Sequence, residues 1–311
     1  MGLSTRDVLD IQSLSDDDIA LILDTAQKMK EISKRPVKKV PTLRGRTIVS
    51  FFYEPSTRTK VSFDLAAKRL SADAISISAG SSSIVKGETL IDTVRNLEVM
   101  QPDVIVLRHS SAGAPHLVAR HVDVPVINAG DGMHAHPTQA LLDMMTVVEK
   151  RGQIQGLKLA IIGDIARSRV ARSNIEGFTR MGARVVVAAP PTMIPKGAES
   201  LGVDVTHCVE TAIADADVIM MLRIQKERKA AFLFSSLREY AKVYGLSTQK
   251  LKQAKSDVLI MHPGPLNRGV EIASEVADGD YSLILDQVEN GVAVRMALFY
   301  LMMGGQRNAE D

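Results

Sequence analysis

The 311-residue chain has one cysteine, no tryptophan and a formal net charge of only +2. Cys208 has no second thiol to pair with, so an intrachain disulfide and a thiol-rich metal cage are both excluded. The residue reads as a small side chain at a strand end, and a reducing cytoplasm is the expected compartment. Near-neutral charge argues against a broad nucleic-acid surface, which needs a basic excess gathered on one face. Any anionic ligand must then be held by a few placed cations. No apolar run approaches the length that crosses a bilayer. The segment from Met1 to Gln12 is polar and lacks the apolar core of a signal peptide. Arg6 stands where a myristoylation pattern needs Ser or Thr. Low-complexity tracts and short-period repeats are missing as well.

What is present suits a globule that folds without a cofactor: 45% of residues are hydrophobic and 24% charged, over a length comfortable for two domains. Ser15-Asp16-Asp17-Asp18 opens a helix whose apolar positions (Ile19, Ile22, Leu23, Ala26, Met29) recur at helical spacing, with Pro36 beyond its end. From Arg46 onward, short β-branched runs alternate with amphipathic helices. Strands are expected at 47–53, 74–78, 104–108, 125–128, 158–163, 184–189, 204–207, 217–222 and 257–261. Continuous apolar strands alternating with helices imply parallel sheets covered on both faces. After a long helix over 138–150 the rhythm restarts at Lys158, which places a domain boundary near residue 150. A strongly apolar helix over 287–303 closes the pattern and is free to pack back across either domain. The expected fold class is α/β. In open α/β sheets ligands bind outside the carboxyl ends of the strands, and the unusual residues of this chain stand there.

The strongest feature is Phe51-Phe52-Tyr53-Glu54-Pro55-Ser56-Thr57-Arg58-Thr59-Lys60: a strand, a turn proline, then a helix starting near Thr57. Hydroxyls and a guanidinium at a helix N-terminus make a ready phosphate site, although a plain Ser/Thr cap with a solvated Arg has the same composition. Ser81-Ser82-Ser83-Ile84-Val85-Lys86-Gly87-Glu88-Thr89 is a polar loop with one cation; such loops close over anions or are simply surface. Arg108-His109 ends one strand, and His134-Ala135-His136-Pro137-Thr138-Gln139 follows another. A histidine before a helix start can donate to a carbonyl and stabilise a developing oxyanion, a role that suits His136, whereas His134 reads as structural. No metal is expected, because neither a carboxylate nor a cysteine follows at a metal-site spacing.

In the second half, Gly163-Asp164-Ile165-Ala166-Arg167-Ser168-Arg169 opens a helix after a strand with one glycine, not the three of a dinucleotide fingerprint. Arg223-Ile224-Gln225-Lys226-Glu227-Arg228 is again cationic at a strand end, and forked guanidiniums suit carboxylates. Arg167 is equally consistent with a solvated role, and Lys226 and Glu227 with a solvated face. Met261-His262-Pro263-Gly264-Pro265 ends the last strand in a stiff loop that can hold backbone carbonyls toward an amide or ammonium donor.

These segments, in this order, resemble the motif set of the aspartate/ornithine carbamoyltransferase family from about Arg46 to Met303. The resemblance implies two doubly wound α/β domains: residues 1–150 for carbamoyl phosphate, joined by the helix 287–303 packing back on this first domain, and residues 151–286 for the amino acid. Ser56, Thr57, Arg58 and Thr59 would then hold the phosphate, and Arg108, His136 and Gln139 would join Thr59 around the carbamoyl group. Pro263 and Gly264 would offer their carbonyls to the carbamoyl nitrogen. Arg169, Arg223 and Gln225 would bind the two carboxylates of aspartate. Glu54 would bridge to Arg169 and Arg228 when the domains close. Ser82 and Lys86 look like loop residues given to a neighbouring subunit's site, Lys86 also reaching aspartate there, which implies a homotrimer with shared sites.

Aspartate is favoured over ornithine, because His262-Pro263-Gly264-Pro265 replaces the His-Cys-Leu-Pro typical of ornithine enzymes and Arg223 and Gln225 suit a carboxylate. Asp64 departs from the family's usual Glu, and the Gly264-Pro265 pattern resembles only some bacterial members. The implied reaction is transfer of the carbamoyl group from carbamoyl phosphate to the amine of L-aspartate, in de novo pyrimidine biosynthesis. It needs no cofactor and no covalent intermediate, since no Ser or Cys sits beside a base in a triad-like pattern. Regulatory chains or another pyrimidine-pathway enzyme are possible partners; nucleic acid and membrane are not.

Overall fold

The computed structural model describes residues 2–78, 87–225 and 236–304. The chain divides into two compact units, Met1–Met145 with Glu289–Asp311, and Thr146–Val288.

The first unit opens with α1 (Asp16–Lys34). Ser15 accepts from the Asp18 N–H while the Asp18 carboxylate takes the Ser15 N–H, so two first-turn donors are satisfied reciprocally. There follow β1 (Thr47–Phe52), α2 (Thr57–Arg69), β2 (Asp73–Ser78), α3 (Leu90–Glu98), β3 (Val104–His109), α4 (Ala114–Ala119), β4 (Val126–Asp131) and α5 (Pro137–Arg151). The strands form one parallel sheet in the order β2-β1-β3-β4. β1, β3 and β4 are buried almost throughout, whereas edge strand β2 alternates and leaves Ile75 half exposed. Val49, Phe51, Leu107 and Val126 form a core with Val94, Leu97 and Val118.

The second unit contains β5 (Lys158–Ile162), α6 (Arg169–Arg180), β6 (Arg184–Ala188), β7 (Asp204–Thr206), α7 (Val209–Ile213), β8 (Val218–Met221), α8 (Leu237–Tyr244), α9 (Thr248–Leu251), β9 (Leu259–Met261) and α10 (Ser274–Ala277). Its strands are parallel in the order β7-β6-β5-β8-β9. All nine strands expected from sequence are therefore present among the described residues, shared between two sheets. Cys208 stands two residues past β7 as the exposed N-cap of α7, not at the strand end.

The last helix, α11, spans Ile284–Met303 and begins three residues earlier than expected, because the Gln287 N–H already donates helically to the Leu283 carbonyl. Its body packs on the first unit. Phe299 lies 5.8 Å from Phe63 ring to ring, and the Ser33 hydroxyl reaches the Met296 sulfur. Phe63 and Phe299 are fully buried, each contributing about 1.5–3 kcal/mol. The division between the units falls inside α5 and α11, both uninterrupted helices. Among the described residues no helix is long and apolar enough to cross a membrane.

Strand order fixes where a ligand can sit. In the first sheet the connections run from β1 to one side and from β3 to the other; in the second they diverge between β5 and β8. A crevice opens at the carboxyl ends of each such pair.

Candidate active site

At the first crevice, β1 delivers Tyr53 and Glu54, and β3 delivers Arg108 and His109. Arg108 is buried; its Nη1 donates to the Ala129 carbonyl at 3.0 Å and its Nη2 to Glu54 Oε1 at 2.5 Å. Removing one partner of so buried a pair costs about 3–5 kcal/mol, so Glu54 and Ala129 orient the guanidinium. Glu54, expected to bridge to Arg169 and Arg228, is bonded to Arg108 here. Burial holds the His109 imidazole below its ordinary pKa, partly offset by the Asp131 and Glu54 carboxylates nearby, and its Nδ1 accepts from the Ser111 N–H at 2.9 Å. Its ring packs 4.6 Å from Tyr53.

Pro55 and Ser56 then turn the chain into α2. Ser56 has the extended backbone of an N-cap, yet its side chain caps no N–H; its hydroxyl donates to Thr59 Oγ1 at 2.9 Å. By helix geometry the N–H groups of the first turn have no acceptor inside α2, so they and the hydroxyls of Thr57 and Thr59 suit an anion. Arg58 is exposed and Thr59 buried.

His136 is buried at the start of α5, where its carbonyl accepts from the Gln139 and Ala140 N–H groups and Pro137 takes the first helical position. Gln139 donates through its amide to buried Asp143 at 2.8 Å. Two supporting residues escaped sequence reading. Asp131, fully buried, accepts from Gly113 N–H at 2.6 Å, Ala135 N–H at 3.0 Å and Asn128 Nδ2 at 2.9 Å, and lies 3.1 Å from His134 Nδ1. It thereby shapes the turn that presents His136 and accounts for the structural part of His134. Arg295 of α11 donates to Ser62 Oγ on α2 at 2.7 Å and to Thr138 Oγ1 on α5 at 3.3 Å, with its guanidinium 4.8 Å from the Phe63 centroid. Burial pushes its pKa down to about 9, helped by Arg108 and opposed by Asp143. The available signals were a polar Asn128-Ala129-Gly130-Asp131 run ending an apolar strand, and a lone cation inside an apolar helix.

The second crevice lies between the ends of β5 and β8. A Cβ on Gly163 would stand 2.8 Å from Cβ of Leu222, and its φ of +131° is one that side chains avoid. This glycine serves close approach of two strand ends, not a pyrophosphate. Arg167 pairs with Asp164 at 3.5 Å while its side chain stays more than a third exposed, in keeping with the solvated reading. Ser168 caps α6 by accepting from the Ala171 N–H at 3.0 Å, which puts Arg169 in the first turn, half-buried. Beyond β8, Arg223 and Gln225 are half-buried on either side of buried Ile224. After β9, the Gly264 N–H donates to Nδ1 of His262 at 2.8 Å, and the Gly264–Pro265 peptide is cis.

The structure thus brings Glu54, Ser56, Thr57, Arg58, Thr59, Arg108, His136 and Gln139 into the first unit, and Arg169, Arg223, Gln225, Pro263 and Gly264 to strand ends or a helix start of the second. Ser82, Lys86 and Arg228 lie outside the described residues. Among the described residues no group of three or more His, Cys, Asp and Glu side chains is placed to hold a metal ion.

Comparison with known proteins meets the same two units. Residues 6–149 match the model of the aspartate/ornithine carbamoyltransferase, carbamoyl-P binding domain, and residues 155–302 match that of the Asp/Orn binding domain. A curated relative from Desulfosudis oleivorans, the aspartate carbamoyltransferase catalytic subunit, is 78% identical over 311 residues, all of both chains. Among solved structures, ornithine carbamoyltransferase from Pyrococcus furiosus superposes with a TM-score of 0.86 at 34% identity, covering 98% of this chain and 99% of that one. Aspartate transcarbamoylase from Trypanosoma cruzi, in complex with carbamoyl phosphate and aspartate, gives 0.85 at 29% identity over 94% of this chain and 95% of that one. With both family models matched in order along one chain and relatives aligned from end to end, this chain belongs to the aspartate/ornithine carbamoyltransferase family.

Proposed function

We propose that this enzyme transfers the carbamoyl group of carbamoyl phosphate to the amine of L-aspartate, yielding N-carbamoyl-L-aspartate and phosphate, a step of pyrimidine biosynthesis. The observation that carries aspartate over ornithine is the 78% identity, over the full length of both chains, to a protein named aspartate carbamoyltransferase catalytic subunit. Fold alone does not choose, since an ornithine enzyme superposes equally well.

In this reading the α2 N-terminus, with Ser56, Thr57, Arg58 and Thr59, takes the phosphate. Thr59, Arg108 and His136 donate to the carbamoyl oxygen, Gln139 orients the carbamoyl amide, and the carbonyls of Pro263 and Gly264 accept from its nitrogen. Arg169, Arg223 and Gln225 hold the two carboxylates of aspartate. The amine lone pair attacks the carbamoyl carbon, the carbonyl electrons move onto oxygen, and the tetrahedral intermediate collapses with cleavage of the bond to the phosphate oxygen. The departing phosphate accepts the proton that the amine loses. Rate then comes from positioning two anions and stabilising one oxyanion. Glu54 and Arg228 are assigned to domain closure. We assign Ser82 and Lys86 to a neighbouring chain's site in a homotrimer, a reading supported by the exposed apolar Val61 and Leu65 of α2 and Ile75 of edge strand β2, which adjoins that loop in sequence. The relatives' name, catalytic subunit, supports a further partner chain. A cytoplasmic location suits a chain whose single cysteine is exposed as a thiol. Initial rates with aspartate and with ornithine, at equal concentration and saturating carbamoyl phosphate, test the assignment; faster turnover of ornithine would overturn it.

A further inference from the structure

Behind the second crevice lies a carboxylate that the transfer chemistry does not use. Glu271 is fully buried. Its Oε1 accepts from the Asn267 N–H at 2.6 Å and lies 3.2 Å from His262 Nε2, while its Oε2 accepts from Asn267 Nδ2 at 3.2 Å. The same Asn267 amide donates to the carbonyl of Ile224 at 2.9 Å, the residue between Arg223 and Gln225. On the other branch, His262 Nδ1 accepts from the Gly264 N–H. A ring nitrogen that accepts carries no proton, so the proton is on Nε2, which donates to Glu271. The His262 N–H in turn donates to Gln287 Oε1 at 2.9 Å. The Asn267 amide, held by the Glu271 carboxylate that also takes His262, therefore ties together two loops that are far apart in sequence, 222–225 and 262–267. A stiff connector would not need this, because prolines at 263 and 265 already restrict the loop by themselves.

We infer that Asn267 and Glu271 are positioning residues for the amino-acid substrate. They clamp the segment carrying Arg223 and Gln225 to the segment carrying the Pro263 and Gly264 carbonyls, so that both are presented as one rigid set. The inference rests on the aspartate-site assignment above. A side chain held through its own backbone loses less freedom on binding, and a displacement near 1 Å is enough to cost about a hundredfold in rate.

The test uses the full-length enzyme with Asn267→Ala and Asn267→Asp. The second is equal in size to the native residue, removes the donor to Ile224 and sets a second carboxylate beside Glu271. Both variants are expected to raise KM for aspartate by about tenfold or more, and to weaken binding of succinate, a dicarboxylate without the reacting amine. Carbamoyl phosphate affinity, measured alone, should fall less than aspartate affinity, since the residues assigned to its phosphate lie on the first unit and only the Pro263 and Gly264 carbonyls belong to the clamped segment. An unchanged KM for aspartate in both variants overturns the inference. So does a parallel fall in carbamoyl phosphate affinity and melting temperature, or insolubility of both variants, any of which would make the network a folding element only. Arg223→Ala is the control: if it leaves KM for aspartate unchanged, the aspartate-site assignment itself fails, whatever Asn267 does.

Discussion

Arg108 and His136 reach the first crevice by different routes, and the difference bears on what each substitution would do. Arg108 is at the end of a buried strand and is held by an ion pair with Glu54, so its loss disturbs structure and chemistry together. His136 sits at a helix start shaped by Asp131 through backbone and side-chain bonds that do not need the imidazole. His136→Ala should therefore fold normally and lose about 10²–10³ in kcat, the usual effect of deleting one oxyanion donor. Stopped-flow or steady-state rates alongside a melting curve check this; a wild-type kcat would remove His136 from the chemistry. The catalytic candidates were readable from sequence because reactive side chains stood out beside strand ends. Asp131 and Arg295 were not, because their importance lies in hydrogen bonds to residues that only the fold brings near.

At the scale of elements, the sequence announces helix ends as clearly as it announces strands. Ser15 and Asp18 close the reciprocal cap of α1, and Ser4 adds two further donors to the same carboxylate, N–H at 2.8 Å and hydroxyl at 2.5 Å. Burial works to raise the Asp18 pKa, but the hydrogen bonds from Ser4 and Ser15 outweigh it and hold the carboxyl below its ordinary value. A depressed acid stabilises the fold fully above its unfolded pKa and loses that contribution as pH falls through the folded value. Asp18→Ala should cost about 1–2 kcal/mol near neutral pH. Denaturant melts of both proteins should converge as pH drops below the unfolded value of 3.8; a constant gap down to strong acid would show that the carboxylate charge is not the source. By contrast, Ser56, equally plausible as a cap from sequence, bonds to Thr59, and its side chain caps no N–H of the first turn of α2.

For the whole molecule, the assigned unit of activity is a homotrimer in which Ser82 and Lys86 serve a neighbouring site. Lys86→Ala and His136→Ala should each be nearly inactive alone. Mixed, dissociated and reassociated, they should regain about a quarter of wild-type activity, because in a random cyclic trimer one site in four pairs an intact His136 with a neighbour's intact Lys86. Sedimentation of the native enzyme would give the subunit number independently. Activity that stays additive after mixing would place each site within one chain.

By itself the sequence determined the strands, the starts of several helices and the class of fold, because these follow from short-range periodicity and capping chemistry that each segment carries alone. It also pointed to aspartate through Arg223, Gln225 and the 262–265 loop. Tertiary structure decided the rest. Strand order set which strand ends share a crevice, and so why Gly163 meets Leu222 and Glu54 meets Arg108. Folding also turned Asn267 and Glu271 from ordinary loop residues into a link between the two segments proposed to hold the amino acid. Partners such as Ile224 and Asn267 stand 43 positions apart. No local pattern encodes a hydrogen bond across that distance, because the contact exists only once β8 and β9 lie side by side in the sheet.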